Sequence, residues 1–162
     1  MDQLLAQVIA QARALCIPVS PRIDPNVVIN TRARTRFGCC RIRLGRHTIE
    51  VSSSLLDASE TAVCQVLAHE ILHTCPGCAN HGQGWQRWAS LMSARFGYDI
   101  HRTDSHEALG LADTRPVRYL VVCARCGNQI PRMKRSSLVA HPERYRCKCG
   151  GSLYVIAPGD HN

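Results

Sequence analysis

Apolar and polar positions along the chain fall into patterns that predict different elements. Leu4, Leu5, Val8, Ile9, Ala12 and Leu15 recur at the spacing of one helix face, so residues 2–16 read as an amphipathic helix, ended by Pro18 and Pro21. Residues 26–52 are richer in β-branched side chains. Val27-Val28-Ile29, Arg41-Ile42-Arg43-Leu44 and Thr48-Ile49-Glu50-Val51, with a hairpin turn at Leu44-Gly45-Arg46-His47, predict two or three antiparallel strands. Asp57 and Glu60 have capping-box spacing, so a helix of about 16 residues should run to Thr74, before the Pro76-Gly77 break. Trp85, Trp88, Met92 and Phe96 share one face of a further helix, closed by Gly97. Residues 98–116 are polar and aperiodic, and read as a connecting segment. From Val117 the chain turns to short strands around paired cysteines. The succession predicts an α+β fold: a small antiparallel sheet packed with a central helix and flanking helices, followed by a small β module. The boundary gives domains 1–114 and 115–162.

The central helix carries the chemistry. His69-Glu70-Ile71-Leu72-His73 is an H-E-x-x-H run, and residues four apart on a helix point the same way, about 6 Å apart along the axis. Two imidazoles so placed can grip one zinc ion, while Glu70, one position on, reaches a water beside the metal and takes its proton as general base. The bland alternative is a helix surface that happens to carry these three residues. A catalytic zinc needs a third protein ligand and one open position. His81 follows the Pro-Gly break closely enough for a tight loop to return it to the metal. Glu107 is a rival third ligand, and His101, His106 and His47 are weaker ones.

The ten cysteines and the charge add a second site. The start of the chain is not basic, and Gln7, Gln11 and Arg13 interrupt the apolar stretch, so no secretory signal is expected. No apolar run approaches the roughly 20 residues of a membrane helix. A cytoplasmic, membrane-free protein is expected, in which clustered cysteines point to metal before disulfides. Cys123, Cys126, Cys147 and Cys149 form two knuckles able to hold a structural zinc in a closed tetrahedron, and glycine after a knuckle lets backbone amides face the sulfurs. Two Zn2+ per chain are therefore expected, one catalytic and one structural. Cys64 reads as a core residue and Cys16, Cys39 and Cys40 as partly buried fillers. Cys75 and Cys78 read as a compact loop, a redox-sensitive clamp or a further metal pair.

At this point a resemblance becomes specific. His69-Glu70-Ile71-Leu72-His73 followed by His81-Gly82-Gln83-Gly84-Trp85 resembles the SprT-like (Spartan-related) zinc metallopeptidase family. Asn30-Thr31-Arg32, Thr35-Arg36-Phe37-Gly38 and the stretch from Ile49 to Leu56 resemble the segments before that family's catalytic helix. The resemblance implies zinc on His69, His73 and His81, with Glu70 catalytic. It also implies a C-terminal zinc ribbon, whose closing half Tyr145-Arg-Cys-Lys-Cys-Gly-Gly151 resembles. Cys75-Pro76-Gly77-Cys78 departs from the family pattern.

The formal net charge is +8, and residues 115–162 hold seven Arg and two Lys against two acids. Arg118, Arg125, Arg132, Lys134, Arg135, Arg144, Arg146 and Lys148 lie among Tyr119, Tyr145 and Tyr154. Guanidinium groups for phosphates and tyrosines for bases suit a single-stranded nucleic acid, and the resemblance implies single-stranded or damaged DNA, while basic ribbons also dock onto proteins. The expected function is zinc-dependent hydrolysis of peptide bonds, in a substrate strand lying along an edge near residues 47–52. The resemblance implies that the substrates are proteins bound or crosslinked to DNA, with a nucleoid-associated or nuclear location. The alternative is a DNA-binding or regulatory zinc protein that cleaves little.

Overall fold

Helix α1 (Asp2–Ala14) buries Leu5, Val8 and Ala12 along one stripe. It stops ahead of the prolines expected to end it. Cys16 adopts a left-handed φ of 56°, and the Ile17 amide closes back onto the Ala12 carbonyl at 3.0 Å, a termination that needs no proline. In this computed structural model residues 1–113 and 116–156 are described. The expected boundary at 114/115 lies outside them, as do residues 157–162 at the end of the expected second module.

Three strands follow: β1 (Val28–Asn30), β2 (Gly38–Arg43) and β3 (Arg46–Ser52). Strands β2 and β3 form an antiparallel hairpin. Leu44 and Gly45, at φ 50° and 73°, make the two-residue turn, whose left-handed backbone angles suit the right-handed twist of the flanking strands. The order is β1-β3-β2, and β1 pairs parallel with β3. The sheet is therefore mixed, not antiparallel as expected. The hairpin occupies one side of β3; β1 takes the other side and runs parallel to β3, opposite to β2.

The central helix α2 (Glu60–Leu72) begins at Ser59, whose hydroxyl accepts from the Ala62 amide at 3.2 Å. The expected Asp57 cap instead ends a short 3-10 turn, Ser53–Asp57. Every residue of α2 from Ala62 to Leu72 is buried. A solvated helix face is thus excluded for His69 and Glu70. Helix α3 (Gln83–Phe96) buries Trp85, Ala89 and Met92 and ends at Gly97 in the left-handed region. The aperiodic segment 98–113 is more than a connector: Tyr98, Ile100 and Leu109 are buried. Tyr98 donates its hydroxyl to Gln11 at 2.7 Å, and Gln65 of α2 receives the Asp99 amide while donating to Asp104. It straps α2 without regular structure, so no periodicity announces it.

The chain divides into two compact units, with Met1–Asp113 as the first. In the second, β4 (Tyr119–Cys123), β5 (Gln129–Arg132) and β6 (Leu153–Ile156) form an antiparallel sheet of order β5-β4-β6, with a one-turn helix α4 (Ser137–Ala140). Among the described residues its buried apolar cluster is Val121, Cys123, Val139 and Leu153. A core this small calls for a further staple. Among the described residues, no helix is long and apolar enough to cross a membrane.

Candidate metal centres and cleft

His69 lies in the last turn of α2, and His73 is the residue that caps it. The Nδ1 atom of His69 donates to the His101 carbonyl at 2.8 Å, and that of His73 to the Cys78 carbonyl at 2.8 Å. A carbonyl can only accept, so both protons sit on Nδ1 and both Nε2 lone pairs are free. The loop after Pro76-Gly77 returns His81, placing its Nε2 2.9 Å from that of His69. One ligand nitrogen from each of the three histidines lies within 4.8 Å of the others. Two nitrogens on one tetrahedral zinc stand about 3.3 Å apart, so the cluster has the size and donor chemistry of a zinc site. Burial, then the neighbouring rings, pushes His69 down to about 4, and burial lowers His81 as well. Both are therefore held in the neutral, ligating form. Trp85 lies beneath, its ring 4.8 Å from His69 and 4.5 Å from His81, and stacked on His73 at 5.8 Å.

The other third-ligand candidates do not join this cluster. The His101 ring pairs with Asp99 at 2.7 Å, and only its carbonyl serves the site. His106 packs edge-on against Phe37 and His47 lies beside Cys40, while Glu107 is exposed.

Glu70 is buried with its carboxylate against β2. Burial pushes its pKa up to about 7, opposed by the hydrogen bond from the Cys40 amide and the charge of Arg36, with Asp104 adding to the rise. A Cβ on Gly38 would overlap the Glu70 carboxylate and come within 2.6 Å of its Cγ. Gly38 and the Cys40 amide are therefore the floor of the site. In the sequence Gly38 stands out only as the end of the Thr35-Arg36-Phe37-Gly38 resemblance, because its contact with Glu70 is across the fold. A cavity of about 530 Å³ runs between this hairpin and the His81 loop, lined by Cys40, Ile42, His47, Asn80 and the three histidines among others. The strand bordering it is β2. The expected edge near 47–52 is β3, which lies in the middle of the sheet with both sides paired.

Cys75 and Cys78 are buried thiols, and the turn they bracket supplies the carbonyl that orients His73. Among the described residues they join no third potential ligand. Cys64 is buried and Cys39 and Cys40 are half-buried, but Cys16, expected to be partly buried, is exposed on its left-handed turn.

In the second unit the sulfurs of Cys123, Cys126, Cys147 and Cys149 also lie within 4.8 Å of one another. Cys123 is 3.6 Å from Cys149, and Cys126 is 3.7 Å from Cys147, so the shortened Cys147-Lys-Cys149 knuckle brings both its thiols to the cluster. Amides of Cys126 and Arg125 donate to Cys123, which lowers its pKa and favours the thiolate a metal takes. A Cβ on Gly151 would come within 2.7 Å of the Cys123 sulfur. Of the expected DNA contacts, Arg118, Lys134, Arg135, Arg144 and Lys148 are exposed and Arg132 is half-buried. Arg125 and Arg146, also exposed, turn a guanidinium nitrogen to the carbonyls of Cys149 and Glu143. Tyr145 and Tyr154 are exposed.

These features can be set beside known proteins. The chain is 28% identical over 135 residues to Protein SprT-like of Lactiplantibacillus plantarum, an alignment spanning 78% of this chain and 81% of the relative. The crystal structure of the metallopeptidase zymogen of Pyrococcus abyssi abylysin aligns with 62% of this chain and 100% of that one, at 15% identity and a TM-score of 0.41, a likeness too distant to bear on the site. The family model for SprT-like proteins matches residues 5–106, from α1 through the strap that holds His69. By that match, which covers more than half of its length, the chain belongs to the SprT-like family.

Proposed function

We propose that the chain is an HExxH-type zinc endopeptidase acting on proteins bound or crosslinked to DNA. The observation that carries the peptidase reading is the convergence of the His69, His73 and His81 nitrogens beside the buried Glu70 carboxylate, on a cleft bordered by an unpaired strand edge. Zinc bound there would supply Lewis acidity, polarising a carbonyl and acidifying a water. The residues of the chain do the rest. Strand β2 offers free backbone donors and acceptors to a substrate strand running antiparallel to it, replacing the 47–52 edge. Glu70 takes the proton of the attacking water on a carboxylate oxygen and delivers it to the leaving amide nitrogen as the C–N bond breaks. The Cys40 amide and the bare Gly38 backbone keep that carboxylate in place.

The four-cysteine cluster would hold a structural zinc that stabilises a unit with little core of its own. Support for DNA comes from the charge of residues 115–162 and from the exposed Tyr145 and Tyr154 among exposed arginines and lysines.

Glu70→Gln tests the chemistry. The variant is expected to keep both zinc ions and lose DNA-stimulated cleavage of a protein substrate. Undiminished cleavage by Glu70→Gln would remove Glu70 from the mechanism. A zinc-loaded wild type that shifts DNA in a gel yet cuts nothing would favour the regulatory DNA-binding reading instead.

A further inference from the structure

A second concentration of positive charge lies on the first unit. Between residues 25 and 56 the chain has six arginines, Arg32, Arg34, Arg36, Arg41, Arg43 and Arg46, and one acid, Glu50. All six arginines are exposed. An arginine-rich composition would scatter these residues, whereas here they gather on one loop and hairpin. Cross-strand pairing fixes where several of them lie. Arg43 pairs with Arg46, Arg41 with Thr48 and Cys39 with Glu50, so these side chains share one face of the sheet. Ile49 and Val51, on the other face, are fully buried in the core with α2. The arginine face is therefore the outer face, behind the cleft.

The single acid does not cancel this charge at the surface. The Glu50 side chain is only 10% exposed, and it braces the arginines around it. Arg36 reaches it at 2.8 Å and Arg41 at 2.9 Å, with Asn30 donating at 2.6 Å. Both guanidiniums remain about half exposed, at 47% and 57%. Arg32, Arg34, Arg43 and Arg46 have no carboxylate partner among the described residues. From Arg36 to Arg43 the track runs roughly 20–25 Å at strand rise.

We propose that the outer face of the β2–β3 hairpin is a second nucleic-acid surface, binding the sugar-phosphate backbone along this track. Exposed guanidiniums spread along one face of a strand match a polymer of evenly spaced charges. A bilayer surface fits less well: the apolar side chains exposed on the hairpin are Leu44 at the turn and Ile42, which lines the cleft on the opposite face. The proposal has a consequence that rests on the peptidase reading. Strand β2 would hold a nucleic acid on its outer face and a peptide on its free edge, favouring cleavage of proteins attached to nucleic acid. The binding itself does not depend on that reading.

The test uses the full-length, zinc-loaded chain and a fluorescent oligothymidine of about 20 nucleotides, followed by anisotropy from about 50 to 200 mM salt. Arg32→Gln, Arg34→Gln, Arg43→Gln and Arg46→Gln are combined, leaving the Glu50 network intact. The combined variant should keep its zinc content and Tm, bind at least about tenfold more weakly, and lose about 0.7 from the log–log salt slope for each phosphate contact removed. Wild-type affinity and slope in this variant would overturn the proposal. So would unchanged oligonucleotide binding alongside lost binding to phosphatidylserine vesicles, which would assign the face to a membrane. If the wild type cleaves no protein but the variant loses the oligonucleotide, the peptidase reading fails and the surface stands.

Discussion

Gly38→Ala adds one methyl group in the first unit and should disable the general base without touching a metal ligand. The new Cβ would sit 2.6 Å from Glu70 Cγ and 2.9 Å from Cδ, and would overlap a carboxylate oxygen. Carbon atoms at van der Waals contact stand about 3.5–4.0 Å apart, so the side chain or the strand must yield by roughly an ångström. Glu70 is buried and hydrogen-bonded to the Cys40 amide, so it has little room to give. Overpacking of this kind costs about 1–3 kcal/mol, a Tm loss of roughly 3–10 °C. The larger effect falls on the chemistry, because an ångström of misplacement of a catalytic group costs about a hundredfold in rate. Zinc content by metal analysis, Tm by thermal denaturation and kcat/KM on a peptide substrate would be measured together. The neighbouring Cys39→Ala, whose side chain lies on the outer face, controls for general damage to the strand. Retained zinc with a cleavage rate cut about a hundredfold is expected. A Gly38→Ala protein that cleaves like the wild type would refute the claim that this backbone holds the base.

Metal analysis of the wild type should find two zinc equivalents per chain, falling to one in His81→Ala; an undiminished count would remove His81 from the cluster. Glu50 predicts an acid-dependent loss of stability. Hydrogen bonds from Arg41 and Asn30 hold its pKa down, at about 2 instead of the ordinary 4.5. Its contribution is therefore complete above about pH 4.5 and lost as pH falls toward 2. The full displacement would give roughly 3 kcal/mol, but both guanidiniums are half exposed and screened, so about 1–2 kcal/mol is expected. Urea unfolding between pH 7 and 3 should show this slope in the wild type and lose it in Glu50→Gln. Trp85 is 2% exposed, and its indole N–H has no hydrogen-bond partner among the described residues. Trp85→Phe should therefore stay within about 1 kcal/mol of the wild type, while Trp85→Ala costs about 3–5 kcal/mol and weakens zinc binding in a chelator competition. Equal damage from both variants would show that the indole N–H has a role.

The helical signals were local, and so was the chemistry written on them. The 3.6-residue spacing in α1 and α3, the i, i+4 histidines and the paired cysteines all follow from positions close together along the chain, where helix and turn geometry leave few alternatives. The α2 cap is Ser59 and not Asp57 because Asp57 is taken up as the last residue of the preceding 3-10 turn. What no local pattern contains is how distant segments meet. The parallel pairing of β1 with β3, which puts β3 in the middle of the sheet and β2 at an edge, joins segments about twenty residues apart. The His101 and Cys78 carbonyls that fix two histidine tautomers come from irregular backbone, which leaves no side-chain signature. Gly38 matters because of Glu70, thirty-two positions away. The sequence by itself determined which atoms could bind a metal and move a proton; tertiary packing decided which backbone holds those atoms still, because it alone brings residues far apart in the chain into contact.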